Sequence, residues 1–227
     1  MKCVIVCGGK GTRMGSIGEK IPKCLLNVGN KKLIEHQFDL LKKHGIRKIV
    51  LCTGYLAHEI QDFVGDGSRF GIDVQYSFET NELGTAGAIK NTEKFLFGEK
   101  SFLVLFGDIM IDMDITKLID AHTKVKPIAT VVVHKSDHPK DSTCVEMDEN
   151  GYVTRMYRGA GNITKTSIHV LEASLLDIMP EGKSSLENDV LPQVLESGEK
   201  VFAYYTDEYV KDIGTPERLT EANARFS

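Results

Sequence analysis

The chain has 227 residues, 41% of them hydrophobic, which is enough for one α/β domain with a large buried core. Lysine and arginine number 28 against 32 aspartates and glutamates, so the formal net charge is -4 and no face is expected to be strongly basic. This charge argues against nucleic acid as a partner. No apolar run approaches the roughly 20 residues of a membrane span, and the N-terminal run is too short for a signal peptide. We therefore expect a cytoplasmic protein without a membrane partner.

The cysteines favour a reducing compartment. The chain has five cysteines, an odd number, and none of them forms a C-x-x-C pair. Most lie in apolar runs, as reduced buried thiols do. We expect neither a disulfide nor a zinc site. The residues are Cys3, Cys7, Cys24, Cys52 and Cys144.

In the first half of the chain, short β-branched runs alternate with helical periods. This alternation is typical of a mostly parallel sheet with helices on both faces. Thr85 is expected to cap the third helix. We predict strands at 2–7, 48–52, 73–77 and 102–105, and helices at 33–44, 58–64, 85–95 and 114–122.

The second half changes to closely spaced strands, so the sheet is expected to become mixed. The stretch Asp148-Glu149-Asn150-Gly151 predicts a hairpin turn, because Asn-Gly supplies the positive φ angles of tight turns. A closing helix is predicted from Pro216, with Thr215 as its cap. We predict strands at 128–133, 144–147, 152–156, 167–171, 201–205 and 209–212, and helices at 173–178 and 186–195. Together the elements predict a Rossmann-like α/β fold in one domain over residues 1–227.

A glycine-rich loop follows the first predicted strand directly. It reads Gly8-Gly9-Lys10-Gly11-Thr12-Arg13. Glycines let backbone N–H groups approach phosphate oxygens, and Arg13 adds a forked positive charge. A flexible turn explains the glycines alone equally well, and neither the P-loop nor the G-x-G-x-x-G pattern is present.

The pair Pro22-Lys23, which follows soon after Arg13, favours the phosphate-binding interpretation. With this pair the chain resembles the sugar-phosphate nucleotidyltransferase family, whose signature is a strand, then G-G-x-G-T-R, then P-K. The resemblance implies the nucleotide-diphospho-sugar transferase fold, which is GT-A-like, and the joining of a nucleoside triphosphate to a sugar-1-phosphate with release of pyrophosphate. It also implies that Arg13 and Lys23 are catalytic, since a compact ammonium suits charge that shifts between oxygens. The implied triphosphate contacts are Gly8, Gly9, Gly11, Thr12 and Arg13.

The stretch from Glu79 to Gly87 is similar to the family's E-x-x-x-L-G-T-A-G segment, in which a loop touches base and sugar before a helix begins. The resemblance now covers residues 2 to about 220. It implies nucleotide contacts at Glu79, Leu83, Gly84 and Thr85, and a sugar contact at Gly87.

Two aspartates stand at predicted strand ends, in Phe106-Gly107-Asp108 and in Lys211-Asp212-Ile213-Gly214-Thr215-Pro216. Open α/β sheets bind ligands at the carboxyl ends of their strands. The resemblance implies that Asp108 and Asp212 hold one Mg²⁺ with the nucleotide's phosphates, and that Gly107 contacts the nucleotide. Two ligands are sufficient, because Mg²⁺ takes its other ligands from phosphate and water.

The expected sugar site departs from the family pattern. The family often has an E-K pair and an N-A-G-I-Y-like strand, whereas Arg158 here replaces the lysine and Thr166-Ser167 replaces the small pair. We expect Arg158, Thr166 and Ser167 to bind the sugar in an unusual pocket. The segment from His134 to Asp141 contains imidazoles and carboxylates, and we expect a polar loop near the sugar there rather than a second metal site.

The chain ends soon after D-I-G-T-P and so is expected to lack the carboxyl-terminal β-helix of many relatives. It looks most like the stand-alone D-glycero-D-manno-heptose-1-phosphate guanylyltransferases, and L-G-T-A-G also occurs in mannose-1-phosphate guanylyltransferases. The resemblance therefore implies GTP with heptose-1-phosphate or mannose-1-phosphate. Uridylyl, cytidylyl and thymidylyl transfer stay open as alternatives, as does a homo-oligomer.

Two rival functions differ from this one. A glycosyltransferase that consumes nucleotide sugars usually holds its metal with D-x-D, and Asp112-Met113-Asp114 offers one. That assignment leaves the glycine loop and Lys23 without a role. A non-catalytic subunit that only binds nucleotide sugar would be expected to lose the lysine or an aspartate, and this chain keeps them.

Overall fold

A mixed β-sheet forms the centre of the computed structural model, which describes residues 1–135, 142–159 and 161–226. The strands are β1 Cys3–Val6, β2 Asn27–Val28, β3 Lys31–Lys32, β4 Lys48–Thr53, β5 Asp73–Phe78, β6 Ser101–Phe106, β7 Ile109–Asp112, β8 Ala129–Lys135, β9 Thr143–Met147, β10 Val153–Arg158, β11 Ile163–Glu172, β12 Val201–Tyr205 and β13 Tyr209–Asp212. The helices are α1 Leu33–Lys43, α2 Ala57–Val64, α3 Gly84–Lys90, α4 Ile115–Val125, α5 Leu175–Ile178, α6 Leu191–Glu196 and α7 Pro216–Phe226. A π-helical turn, Leu186–Val190, precedes α6.

The sheet has a parallel centre and a mixed side. Strands β6, β1, β4 and β5 are parallel neighbours, and β11 pairs antiparallel with both β6 and β8. Strand β8 then pairs parallel with β12, and β9 and β10 form an antiparallel hairpin. The predicted Rossmann-like α/β fold with a mixed sheet is confirmed.

Helices cover both faces of the sheet because successive strand residues point to opposite sides. Cys3 and Ile5 of β1 belong to the core cluster that also contains residues of α1, α2 and α4. Val4 belongs to the second cluster, with residues of α3, α5 and α6. The central strands are therefore buried on both sides, which explains their nearly continuous apolar sequences.

The carboxyl ends of β1 and β6 lie side by side, since Val6 pairs with Phe106. The N–H of Gly107 continues this pairing by donating to the carbonyl of Val6 at 2.9 Å. The glycine loop after β1 and Asp108 after β6 therefore leave the sheet at the same edge, where ligands of such sheets bind.

A small two-stranded ladder of β7 and β13 brings Asp212 to this edge. Asp212 pairs with Ile109, and the N–H of Ile213 donates to the carbonyl of Asp108 at 2.7 Å. Strand β7 was not predicted, because it follows β6 after a short turn and merges with it in the sequence pattern.

The predicted helix at 85–95 is shorter than expected, and its cap is wrong. Helix α3 ends at Lys90, and Leu83 occupies the N-cap position without a side-chain hydrogen bond. Thr85 does not cap the helix because its hydroxyl is bonded to Glu187 instead. By contrast, the N–H of Arg218 donates to the hydroxyl of Thr215, as expected of a cap. None of the helices in the described ranges is long and apolar enough to cross a membrane.

Candidate active site

Two cavities open at the sheet edge where β1, β6 and β13 end. The first, of about 340 Å³, contains both strand-end aspartates and is called the aspartate cavity. The second, of about 630 Å³, is bounded by the glycine loop and is called the loop cavity. The predicted residues Arg13, Asp108, Arg158, Thr166, Ser167 and Asp212 line the aspartate cavity. The predicted residues Gly8, Gly9, Gly11, Thr12, Glu79, Gly84 and Thr85 line the loop cavity.

The glycine loop follows a path that side chains would obstruct. A Cβ atom on Gly8 would lie 2.6 Å from Oε1 of Glu79, and Gly11 has a φ of +65°. The Glu79 carboxylate accepts a hydrogen bond from the N–H of Leu83 at 3.2 Å. Burial raises the pKa of Glu79 above its ordinary value. The loop and the segment around Glu79 thus form one wall of backbone and carboxylate around the cavity.

Lys23, in a turn after the glycine loop, and Asp108, just after strand β6, form an ion pair. Lys23 Nζ lies 2.9 Å from Asp108 Oδ2, and their side chains are 15% and 21% exposed. Lys23 begins a 3₁₀ turn whose next residues, Cys24 and Leu25, are buried. These buried neighbours anchor the backbone of Lys23, so its ammonium is held beside the carboxylate.

Asp212 is held by two arginines and a backbone donor. Its Oδ1 accepts hydrogen bonds from Arg218 Nη1 at 2.9 Å and from the N–H of Gly214 at 2.6 Å. Its Oδ2 lies 3.5 Å from Arg13 Nη2. Sequence reasoning missed Arg218, although its position in the first turn of α7, shortly after Asp212, places it within reach.

The donor set of the aspartate cavity fits magnesium. Asp108 and Asp212 both line the cavity and keep part of their surface exposed, at 21% and 35%. Magnesium needs few protein ligands when phosphate and water supply the others. Within the described ranges, no group of three or more histidines, cysteines, aspartates and glutamates could hold a metal. A metal that takes its other ligands from phosphate and water would need no more than these two carboxylates.

Two of the predicted sugar contacts lie where strand β11 is irregular. Its pairing with β8 shifts between Lys165, opposite Val133, and His169, opposite Val131. More residues of β11 than of β8 lie between these two pairs, so β11 contains a β-bulge. Bulges re-aim side chains near active sites. Thr166 and Ser167 lie in this bulge and line the aspartate cavity, as does Arg158 at the end of β10.

A buried ion pair beside the bulge was missed by sequence reasoning. Lys165 Nζ lies 3.1 Å from Glu187 Oε1, and their side chains are only 4% and 16% exposed. Both residues line the aspartate cavity. Burial by itself would raise the pKa of Glu187, but the Lys165 charge and hydrogen bonds lower this pKa to about 2. Glu187 lies in a π-helical turn, a feature frequent at functional sites and the one local signal that could have indicated it.

Gly87 and Gly107 are buried against other parts of the chain. A Cβ atom on Gly87 would overlap the carbonyl oxygen of Gly182. A Cβ atom on Gly107 would lie 2.6 Å from Cys7 Sγ and 3.2 Å from Cys24 Cβ. Both glycines allow close packing, and their substrate contacts stay predictions, as do those of the other predicted site residues.

The close packing at Gly107 gives a testable effect on stability. Gly107→Ala is expected to destabilise the fold by about 1–3 kcal/mol, because the new methyl group overlaps Cys7 Sγ. Thermal melting should fall by several degrees. Cys7→Ala measures the cost of removing the thiol alone, and Cys7→Ala/Gly107→Ala should recover part of the loss. Unchanged melting of Gly107→Ala would show that the contact is not tight.

The D-x-D segment has structural roles in this fold. Asp112 lies in the ladder opposite Tyr209, and Met113 is buried. Asp114 caps α4 by accepting hydrogen bonds from the N–H groups of Thr116 and Lys117 at 3.0 and 3.3 Å. In the segment from His134 to Asp141, residues 136–141 lie outside the described residues, and His134 lines the aspartate cavity.

A glycine loop, a lysine and two aspartates thus lie together at the carboxyl edge of a mixed α/β sheet, where ligands of such sheets bind. The chain belongs to the nucleotidyl transferase family, whose model matches residues 2–227. This match confirms the resemblance that the glycine loop and the P-K pair indicated.

The relatives differ in the nucleotide base that their names give. The chain is 32% identical to the UTP–glucose-1-phosphate uridylyltransferase of Synechocystis sp. over 94% of its length, and 29% identical to the mannose-1-phosphate guanylyltransferase of Mycobacterium tuberculosis over 97%. It spans 60% and 63% of the length of these two relatives. The crystal structure of HddC from Yersinia pseudotuberculosis, complexed with GMP-PN, superposes with a TM-score of 0.86 at 27% identity, covering 100% of this chain and 99% of HddC.

Proposed function

We propose that this protein transfers a nucleotidyl group from a nucleoside triphosphate to a sugar-1-phosphate and releases pyrophosphate, with Mg²⁺ as cofactor. GTP is the preferred nucleotide, and the sugar is manno-configured, with a heptose ahead of mannose. The observation that carries the proposal is the pairing of Lys23 with Asp108 and of Arg13 with Asp212. These four side chains place cations and carboxylates at the edge where the loop cavity and the aspartate cavity lie.

The proposed reaction is an in-line attack by a sugar-phosphate oxygen on the α-phosphorus of the nucleotide. One P–O bond forms, the bond to the β-phosphate breaks, and the electron pair leaves with pyrophosphate. The attacking phosphate is an anion near neutral pH, so no general base is required. The chain's task is therefore to align two anions that repel each other and to neutralise charge.

Each group has a place in this scheme. The glycine loop offers backbone N–H groups to the triphosphate, and Lys23 and Arg13 offer positive charge to the reacting phosphates. Arg158, which lines the aspartate cavity, suits the phosphate of the sugar. Asp108 and Asp212 would hold magnesium, which when bound supplies further positive charge to the phosphates.

The preference for guanine is supported by a guanylyltransferase among the relatives and by the GMP-PN complex of HddC. The uridylyltransferase at 32% identity makes UTP the second candidate. A nucleotide-sugar-consuming glycosyltransferase is disfavoured, because Asp114 of the D-x-D segment serves as a helix cap.

A pyrophosphate-release screen tests the proposal. GTP, UTP, CTP and dTTP are each mixed with Mg²⁺ and with heptose-, mannose- and glucose-1-phosphate. GTP should exceed the other nucleotides by roughly a hundredfold in kcat/KM with the right sugar, about 2.7 kcal/mol in transition-state binding. An equal preference for UTP would overturn the guanylyl assignment alone. No pyrophosphate from any pair would overturn the proposed activity.

A further inference from the structure

The Lys165–Glu187 ion pair is part of the wall of the aspartate cavity, yet the proposed reaction gives it no task. Burying a charge pair is costly unless hydrogen bonds satisfy both partners, so their bonds show what each can still offer to a ligand. The hydrogen-bonding capacities of the two groups differ: an ammonium has three donors, and an ionised carboxylate has about four acceptor positions.

Lys165 has no donor left for a substrate. Its ammonium donates to Glu187 Oε1 at 3.1 Å and to the carbonyl oxygen of Thr166 at 3.0 Å. The third contact is to His169 Nε2 at 3.5 Å. Since an ammonium can only donate, this nitrogen must be the acceptor, and burial lowers the pKa of His169 so that its ring stays neutral. Lys165 is therefore a holding group for Glu187.

Glu187 keeps one acceptor position. Its Oε1 accepts from Lys165, and its Oε2 accepts from the hydroxyls of Thr85 at 2.8 Å and Ser185 at 3.3 Å. Among the residues that the structure describes, these three hydrogen bonds leave one of its roughly four lone-pair positions open. Because the side chain is 16% exposed and lines the aspartate cavity, that position is available to a ligand there.

The hydrogen bonds also fix where Glu187 can point. Thr85, which lines the loop cavity, donates to Glu187 and accepts from the N–H of Leu186 at 2.8 Å. Ser185 accepts from the N–H of Asn188 at 3.1 Å and so caps the π-helical turn. The carboxylate is thus held by Thr85 on the side of the loop cavity and by Ser185 of its own turn, so its orientation is nearly fixed.

We propose that Glu187 is a specificity-determining residue that accepts a hydrogen bond from one hydroxyl of the sugar, and that Lys165 positions it. The inference rests on the proposed function and names the feature by which that site selects its sugar. The ligand group must be a donor, so a ring hydroxyl fits and a second phosphate or a carboxylate does not. A site built to accept from a hydroxyl rejects an analogue without it, because the buried carboxylate is left one bond short.

The test compares a sugar-1-phosphate with its deoxyfluoro derivatives, in which fluorine replaces one hydroxyl and cannot donate. The parent is the best sugar-1-phosphate of the screen, and the derivatives carry fluorine at C2, C3, C4 or C6. In the wild type, one derivative should lose about tenfold or more in kcat/KM relative to the others. In Lys165→Met/Glu187→Ala, the ratio of parent to that derivative should fall to within about threefold.

Both charges are removed together because a single removal leaves a buried charge unpaired. Glu187→Gln is the second variant, since it keeps the shape, its amide oxygen can still accept from Lys165, and as a weaker acceptor it should lower the same ratio. The matched control is Lys31→Met/Asp39→Asn, which removes an exposed ion pair of 2.7 Å and should leave the ratio unchanged. Thermal melting and titration with the magnesium nucleotide show that each variant is folded.

The outcomes separate the two proposals. If the wild type is active but its ratio persists in both Glu187 variants, the hydroxyl contact is overturned and the proposed function stands. The hydroxyl contact is also overturned if the wild type is active and all four derivatives lose kcat/KM to the same extent. If the wild type releases no pyrophosphate with any pair, the function falls and the inference falls with it.

Discussion

Replacing Lys23 by alanine should lower kcat/KM by about 30- to 1000-fold, which corresponds to about 2–4 kcal/mol of transition-state stabilisation. The Lys23 side chain is 15% exposed and its ammonium lies 2.9 Å from Asp108, so the charge is held in place before substrates arrive. Because this charge is already in place, the site needs no reorganisation during the reaction. We therefore expect the loss of the ammonium to lower turnover more than stability. The measurement is steady-state kinetics with the best pair of the screen, together with thermal melting.

Two further lysine variants sharpen this experiment. Lys20→Ala removes an exposed lysine of the same segment and should leave kcat/KM unchanged. Lys23→Arg keeps the charge but replaces a compact ammonium by a planar fork, and it should recover only part of the activity. A change of less than threefold in Lys23→Ala would show that the lysine does not act on the reacting phosphates.

Asp212→Asn is the second large effect, with an expected loss of about a hundredfold or more in kcat/KM at limiting Mg²⁺, since a metal supplies several kcal/mol of charge stabilisation. The amide oxygen can still accept from Gly214 and Arg218, so the fold should persist. Asp108→Asn should act in the same direction by at least about tenfold, and chelation should inactivate the wild type.

Measurements at excess Mg²⁺ distinguish a metal ligand from a structural aspartate. The loss of a side chain that holds Mg²⁺ can be offset in part by a higher concentration of the ion, whereas the loss of a purely structural aspartate cannot. Asp177→Asn, at an exposed position of α5, is the control and should behave as the wild type. Full activity of Asp212→Asn at limiting Mg²⁺, with unchanged melting, would remove Asp212 from the metal site.

Local motifs made the common position of the glycine loop and the two aspartates predictable. Gly8, Gly11 and Arg13 follow directly after a strand, and Asp108 and Asp212 also stand at strand ends, so short stretches of sequence indicate which edge they share. The alternation of strands and helices likewise predicted the fold class, since it depends on neighbouring residues only.

The proposed sugar side was less predictable, because it depends on contacts between distant segments. Lys165 looks like one more strand residue, and Glu187 like one more charge at a helix start. Their pairing arises only when the bulge of β11 meets the turn before α6. Thr85 was misassigned as a cap for the same reason, since its partner Glu187 lies far along the chain.

The ladder of β7 and β13 has a consequence for how the protein acquires activity during synthesis. It joins two segments that are far apart in the chain, and such long-range pairings form late because loop closure must precede them. Once β1 to β12 have emerged from the ribosome, the nascent chain can already build most of the sheet, but it still lacks Asp212. We therefore expect the onset of turnover to report docking of the last strand, after the bulk of the domain has become protease-resistant.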